Sequence, residues 1–186
     1  WEHTAFGSAQ FGAYKVSDNI VSHRGRGVLK LAYLYEEVSN DFLTSLLEMH
    51  HDNFPIVFEA DAEHMLIEKA IFNSLINPLT ALLCLKNGEL LTNEHAHKLL
   101  KRIHTELEQC FPNHCPTFEE VIALCKRTAL NTSSMLSDHL AKKKSEAPAI
   151  LGALIKRAER KGVQLNTLVT IYELVLAKEL QEDWSI

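Results

Sequence analysis

The stretch from Lys69 to Leu90, KAIFNSLINPLTALLCLKNGEL, decides how the chain is read. Phe72, Leu75, Ile76, Leu79, Leu82 and Leu83 recur at steps of three and four, which predicts a helix with one face in a core. Lys69, Asn73 and Asn77 interrupt that pattern at four-residue steps, stacking an ammonium and two carboxamides along one flank. Asparagine inside a helix costs up to about 0.7 kcal/mol relative to alanine, and it occurs twice here. Pro78 lacks an N–H and restricts Asn77 before it, so a kink is expected there. Spacing leaves two readings of the flank open. Either the asparagines bond carbonyls of a neighbouring helix while Lys69 reaches solvent, or the flank serves chemistry.

Working outward, the 186 residues are 46% apolar. A chain of this length buries roughly 70% of its unfolded surface, so a core needs neither metal nor disulfide. The net charge of −5 with interspersed signs offers no basic face for nucleic acid. Cys84, Cys110, Cys115 and Cys125 form no C-x-x-C pair and read as reduced thiols of a cytoplasmic protein. No apolar run reaches membrane-spanning length and no signal peptide opens the chain. Trp1 is not a natural start, so an upstream segment is expected to have been removed.

Gln10–Lys15, Asn19–His23 and Gly27–Leu34 read as strands, Tyr35–His50 as a helix, and FPIVF at 54–58 as a short buried strand. These elements look like the remnant of an α/β sheet. A Rossmann site needs G-x-G-x-x-G opening a helix. Here the near match is Gly25-Arg26-Gly27, with Lys30 in the third glycine's place and a strand following, so it reads as a turn. From Asp61 onward the pattern is helical. Asp61 caps the long helix, and Asn87-Gly88 ends it in a turn suited to left-handed backbone. Thr92 or Asn93 caps the next helix, Thr117 to Glu120 forms a capping box, and further helices start near Asn131–Ser134, Ser145 and Asn166 or Thr167. About six helices with short connections make an all-α domain of roughly 125 residues. His50-His51 and His95-x-His97 are too close in sequence to converge on a metal, so no metal site is expected.

The run Lys69-x3-Asn73-x3-Asn77-Pro78-Leu79-Thr80-Ala81-Leu82, followed by Asn87-Gly88-Glu89-Leu90, resembles the signature of the ketopantoate reductases, NADPH-dependent enzymes of pantothenate biosynthesis. A second stretch, Ser133-Ser134-Met135-Leu136 with Asp138, then Ser145-Glu146 and Ile150-Leu151-Gly152, is similar to that family's SSML-x-D and T-E-I-D-x-x-x-G segments. Ser145 stands for the usual threonine and Pro148 for the usual aspartate; the proline suits a helix's first turn. Phe11 stands where many members carry histidine. The likeness runs from about Phe11 to the carboxyl end.

The resemblance implies an α+β fragment dominated by helices. Residues 1–59 would be the tail of a Rossmann-type dinucleotide-binding domain, and 60–186 an all-α substrate and catalytic domain of the 6-phosphogluconate dehydrogenase-like kind. It further implies reduction of 2-dehydropantoate to pantoate, with NADPH as cofactor and chemistry in the cleft between domains. The main cofactor motif would lie before Trp1, leaving this piece inactive alone.

By the same resemblance Lys69 is the general acid on the ketone oxygen. Glu146, in a helix's first turn, holds the reacting oxygen and orients the nicotinamide side. Asn73, Asn77, Asn87 and Ser134 form the substrate cradle, where carboxamides meet both carboxylate and hydroxyl. Asp138, four residues after Ser134, either orients it or is a solvated acid. Lys142-Lys143-Lys144 either attracts an adenosine 2′-phosphate or, the favoured reading, is a solvated helix end. The implied partner is a small 2-keto acid, with a homodimer through the helices allowed, and no nucleic acid or membrane. The alternatives are a reductase of another small branched 2-keto acid, whose alkyl group the amides do not fix, and a non-catalytic helical dimerisation module.

Overall fold

The computed structural model describes residues 5–25, 27–33, 45, 46, 48–52 and 54–181. The chain divides into two compact units, Trp1–Lys69 and Ala70–Ile186. A short β region is followed by a mostly helical part.

In the first unit the strands are β1 (Ala5–Ala9), β2 (Gly12–Ser17), β3 (Ile20–Gly25), β4 (Leu29–Tyr33) and β5 (Ile56–Glu59). β1 pairs antiparallel with β4, with Gly7 opposite Leu31, and β4 pairs parallel with β5, with Lys30 opposite Val57. β2 and β3 make a separate antiparallel hairpin. The parallel pair requires a long crossover. The helix expected there, Tyr35–His50, lies mostly outside the described residues. The expected strands appear with ends shifted by one or two residues, and β1, the small-residue run AFGSA, is an addition to them. Ala32, Ala62 and Met65 are buried together, with Phe6 packed on them.

The glycine turn before β4 is explained by packing. A Cβ on Gly27 would stand 2.1 Å from the Gln10 carbonyl oxygen, so the backbones meet where no side chain fits. Lys30, in the place of a third phosphate-loop glycine, lies 2.9 Å from Glu59 and 3.7 Å from Glu68. Its hydrogen bond to Glu59 raises the ammonium above its ordinary value. Phe11 stacks on Phe54 at 5.0 Å with the rings nearly parallel, so a ring of either kind can serve here by packing.

The helices are α1 (Ala62–Leu83), α2 (Glu89–Thr92), α3 (Glu94–Cys110), α4 (Phe118–Arg127), α5 (Ser134–Leu140), α6 (Ala147–Arg160) and α7 (Asn166–Gln181). Asp61 Oδ1 accepts from the His64 N–H and caps α1, as expected. Asn93 caps α3 through the His95 and Ala96 N–H groups, and Thr117 with Glu120 forms a reciprocal capping box on α4.

Three expectations are corrected. The first is the one-face pattern of α1, which contains Pro78: from Ser74 to Ala81 it is buried all round, whereas Leu83 is 44% exposed. One-face periodicity fails because the polar members of that turn are paired: Ser74 Oγ donates to the Ile71 carbonyl and Thr80 Oγ1 reaches the Ile76 and Asn77 carbonyls. Second, the left-handed residue ending α1 is Cys84, at φ 54°, while Gly88 has an ordinary φ of −67°. Gly88 is instead required by contact, because a Cβ there would lie 2.6 Å from Ala129 Cβ. Third, α6 begins at Ala147, so Glu146 is its N-cap residue and no acid sits in the first turn.

Candidate functional site

The site is built on α1 and the start of α5. Ser133 caps α5 by accepting from the Leu136 N–H at 3.1 Å, and its Oγ lies 2.8 Å from Thr80 Oγ1. Thr80 has one proton to give and three oxygens around it, so the two hydroxyls share a buried network that holds the head of α5 on α1. One turn earlier on α1, Asn77 Nδ2 donates to Ser134 Oγ at 3.4 Å. That is longer than the usual range of about 2.7–3.2 Å, so most of the capacity of this buried carboxamide stays uncommitted. Two motifs 57 residues apart thus meet.

Lys69 and Asn73 are half-buried on the same helix, Asn77 is buried, and Ser134 is exposed. Among the described residues, neither Lys69 nor Asn73 has a hydrogen bond or ion pair from its side chain. An ammonium and a carboxamide with open valences are what a polar ligand would need.

Asn87 is held more tightly. Its N–H donates to the Asn131 carbonyl at 3.1 Å and its Nδ2 to Thr128 Oγ1 at 3.0 Å, while Thr128 Oγ1 in turn donates to the Leu124 carbonyl. That chain of donors leaves Asn87 Oδ1 buried without a partner, an acceptor whose desolvation is uncompensated.

Glu146 is exposed and its carboxylate makes no cap bond. Asp138 is half-buried and makes no hydrogen bond to Ser134. Burial, and then the charge of Glu146, pushes the Asp138 carboxyl above its ordinary value. Glu146 therefore stands near the flank of α5. The lysines at 142–144 are all exposed. Residues not singled out from the sequence are Thr80, Ser133 and Thr128, together with the buried pair His139 and Glu179, 3.2 Å apart. Thr80 and Ser133 do fall inside the quoted motifs; His139 and Glu179 carry no local signal.

Among the described residues no group of three His, Cys, Asp or Glu side chains is arranged to hold a metal ion, and no helix is long and apolar enough to cross a membrane. The cysteines are free; burial pushes Cys115 up to about 12, helped by Glu108, and Cys125 up to about 11. A cleft of about 380 Å³ lined by His97, Lys101, Arg102 and Thr167 contains none of the candidate residues.

Residues 61–179 match the family model described as ketopantoate reductase PanE/ApbA, C terminal. The chain belongs to this family. The 2-dehydropantoate 2-reductase of Bacillus subtilis (strain 168) is 37% identical over 175 residues, covering 93% of this chain and 58% of the relative. The crystal structure of a probable 2-dehydropantoate 2-reductase from Bacillus subtilis superposes with a TM-score of 0.78 at 36% identity, over 94% of this chain and 60% of that one. The fold is shared more widely: a D-mandelate dehydrogenase solved with NADH and anilino(oxo)acetate gives a TM-score of 0.81 at 22% identity, over 95% of this chain and 60% of that one. The chain spans a little under three fifths of the length of the curated relative it matches.

Proposed function

We propose that the protein to which this chain belongs reduces 2-dehydropantoate to pantoate with NADPH, and that residues 60–186 supply its substrate and catalytic domain. The observation that carries this reading is the meeting of Asn77 and Ser134 on a helix that also presents Lys69 and Asn73 with open valences. In this reading Lys69 donates a proton to the ketone oxygen and its charge steadies the developing alkoxide. Asn73, Asn77 and Ser134 bind the substrate carboxylate and hydroxyl, Asn87 Oδ1 offers a buried acceptor, and Glu146 holds the product hydroxyl.

The nucleotide has no fitting seat in the near match at 25–30. Gly27 is packed on the Gln10 backbone, and Lys30 is committed to two glutamates within β4 and its surroundings. The chain's own residues therefore serve the proton and substrate side, and residues 1–59 are assigned to the tail of the nucleotide-binding domain. A homodimer through the helices belongs to the same proposal, with Leu174 and Leu180 of α7 50% and 78% exposed.

The test is NADPH oxidation by the full-length protein on addition of 2-dehydropantoate, with Lys69→Ala beside it. Oxidation that falls by about 10²–10⁴ in the variant is the expected result for loss of a general acid. Oxidation only with another branched 2-keto acid would move the assignment to that substrate. No NADPH binding at all would leave a non-catalytic helical module.

A further inference from the structure

Glu179 lies on α7, 6% exposed, and has no hydrogen bond to the proposed substrate cradle among the described residues. Its Oε1 accepts from the Ser145 backbone N–H at 3.0 Å and faces His139 Nε2 at 3.2 Å, with His139 3% exposed at its side chain. One buried oxygen thus joins three segments: α7, the end of α5, and the loop at 141–146. His139 lies five residues after Ser134 on α5, and Ser145 directly precedes Glu146. The joined loop does not rest in its easiest conformation, for Lys142 holds φ 53°, a region side chains rarely adopt. A carboxylate buried with an imidazole is weak evidence for stability, since apolar residues replacing both partners often hold such a place as well or better, whereas removing one partner alone is destabilising.

We infer that Glu179 is a positioning residue: by fixing the Ser145 amide and the end of α5 on one oxygen, it sets Glu146 and Ser134 in register. This rests on the reading of Glu146 and Ser134 given above. Ser145 Oγ continues the same chain by accepting from the Ala147 N–H at 3.2 Å, so the peptide on each side of Glu146 is tied. Without Glu179 the loop loses its only buried tie to α7 among the described bonds, and Glu146 drifts from the reacting oxygen. A misplacement of 1 Å at such a group costs up to about 10²-fold in rate.

The experiment is a double-mutant cycle in the full-length protein, with Glu179→Leu, Glu179→Gln, Glu146→Ala and the Glu146→Ala/Glu179→Leu pair, reading kcat, KM and Tm for each. The inference expects Glu179→Leu to lower Tm, because the Ser145 N–H and His139 lose their partner, and, assayed well below that Tm, to lose about tenfold or more in kcat. It expects Glu179→Gln, whose amide oxygen still accepts from Ser145, to recover most of that loss, and Glu179→Leu to add nothing once Glu146 is alanine. If Glu146→Ala is impaired and Glu179→Leu is not, or if the two losses multiply, the inference falls while the reading of Glu146 stands. If Glu146→Ala is fully active, the reading of Glu146 falls and takes the inference with it. Should Glu179→Leu fail to fold, Glu179→Gln decides: wild-type kcat with the Ser145 amide still protected from exchange supports the tie, and a kcat loss with that protection retained overturns it.

Discussion

Ser133 Oγ serves the Leu136 N–H and the Thr80 hydroxyl together, inside a 6% exposed residue. Removing it strands a buried donor and a buried hydroxyl at once, so Ser133→Ala should cost about 1–3 kcal/mol. Equilibrium urea unfolding would show this as a lower midpoint with an unchanged slope. Ser133→Thr should recover most of it, since a hydroxyl is again available to both. Asp138 gives a pH-dependent counterpart. Its folded-state pKa is raised, by burial first and Glu146 second, so the folded state binds more protons than the unfolded one across the window. Stability contributed by its protonated form is complete below the ordinary aspartate value of about 3.9 and is lost as pH climbs through that value to the folded one. Asp138→Asn should therefore raise Tm at pH 7, with the gain shrinking as the pH is lowered towards 4. A gain independent of pH would mean that carboxylate burial is not its source.

Helix ends show what could and could not be seen in the sequence. Asp61, Asn93, Thr117 and Ser133 cap the helices they precede because a cap bond spans two or three residues and its chemistry is local. α7 starts where the sequence pattern predicts, but its cap is not local: the Glu106 carboxylate, 61 residues away on α3, accepts from the Thr167 and Leu168 N–H groups at 2.8 and 3.1 Å. Glu106→Ala should cost about 1–3 kcal/mol through two unpaired helix donors, and Glu106→Gln less, because one oxygen remains; thermal melts of the two would rank them. The end of α1 departs from the sequence pattern for a related reason. Asn-Gly suggests a turn by conformation, but Gly88 is fixed by the approach of Ala129. Gly88→Ala should thus cost about 1–3 kcal/mol by overpacking. Gly162, at φ 70° with open space around it, should cost about 1–2 kcal/mol as alanine by backbone strain alone. Ala129→Gly should relieve only part of the first loss, because the Cα of residue 129 would still stand 2.9 Å away, and none of the second, which a four-variant melt would separate.

At the scale of the molecule, apolar weight is distributed unevenly. Among the described residues, the largest fully buried side chains, from Ile71 and Leu75 through Leu100, Leu107 and Phe111 to Leu168 and Val175, all fall in Ala70–Ile186. The first unit gathers Ala32, Ala62 and Met65 with Phe6, and two of those three buried residues already belong to α1. A small sheet is marginal by itself, whereas the helical unit has a core of its own. The fragment 61–186 should therefore fold alone, with strongly helical circular dichroism and one cooperative transition. Its unfolding heat capacity should be about 1.5–1.9 kcal/mol/K, from about 12–15 cal/mol/K per residue. The bare Ala62 and Met65 turn will fray, so helicity should fall short at that end while the transition keeps its sharpness. Broad, non-cooperative melting would show instead that the helical core depends on the strands before it.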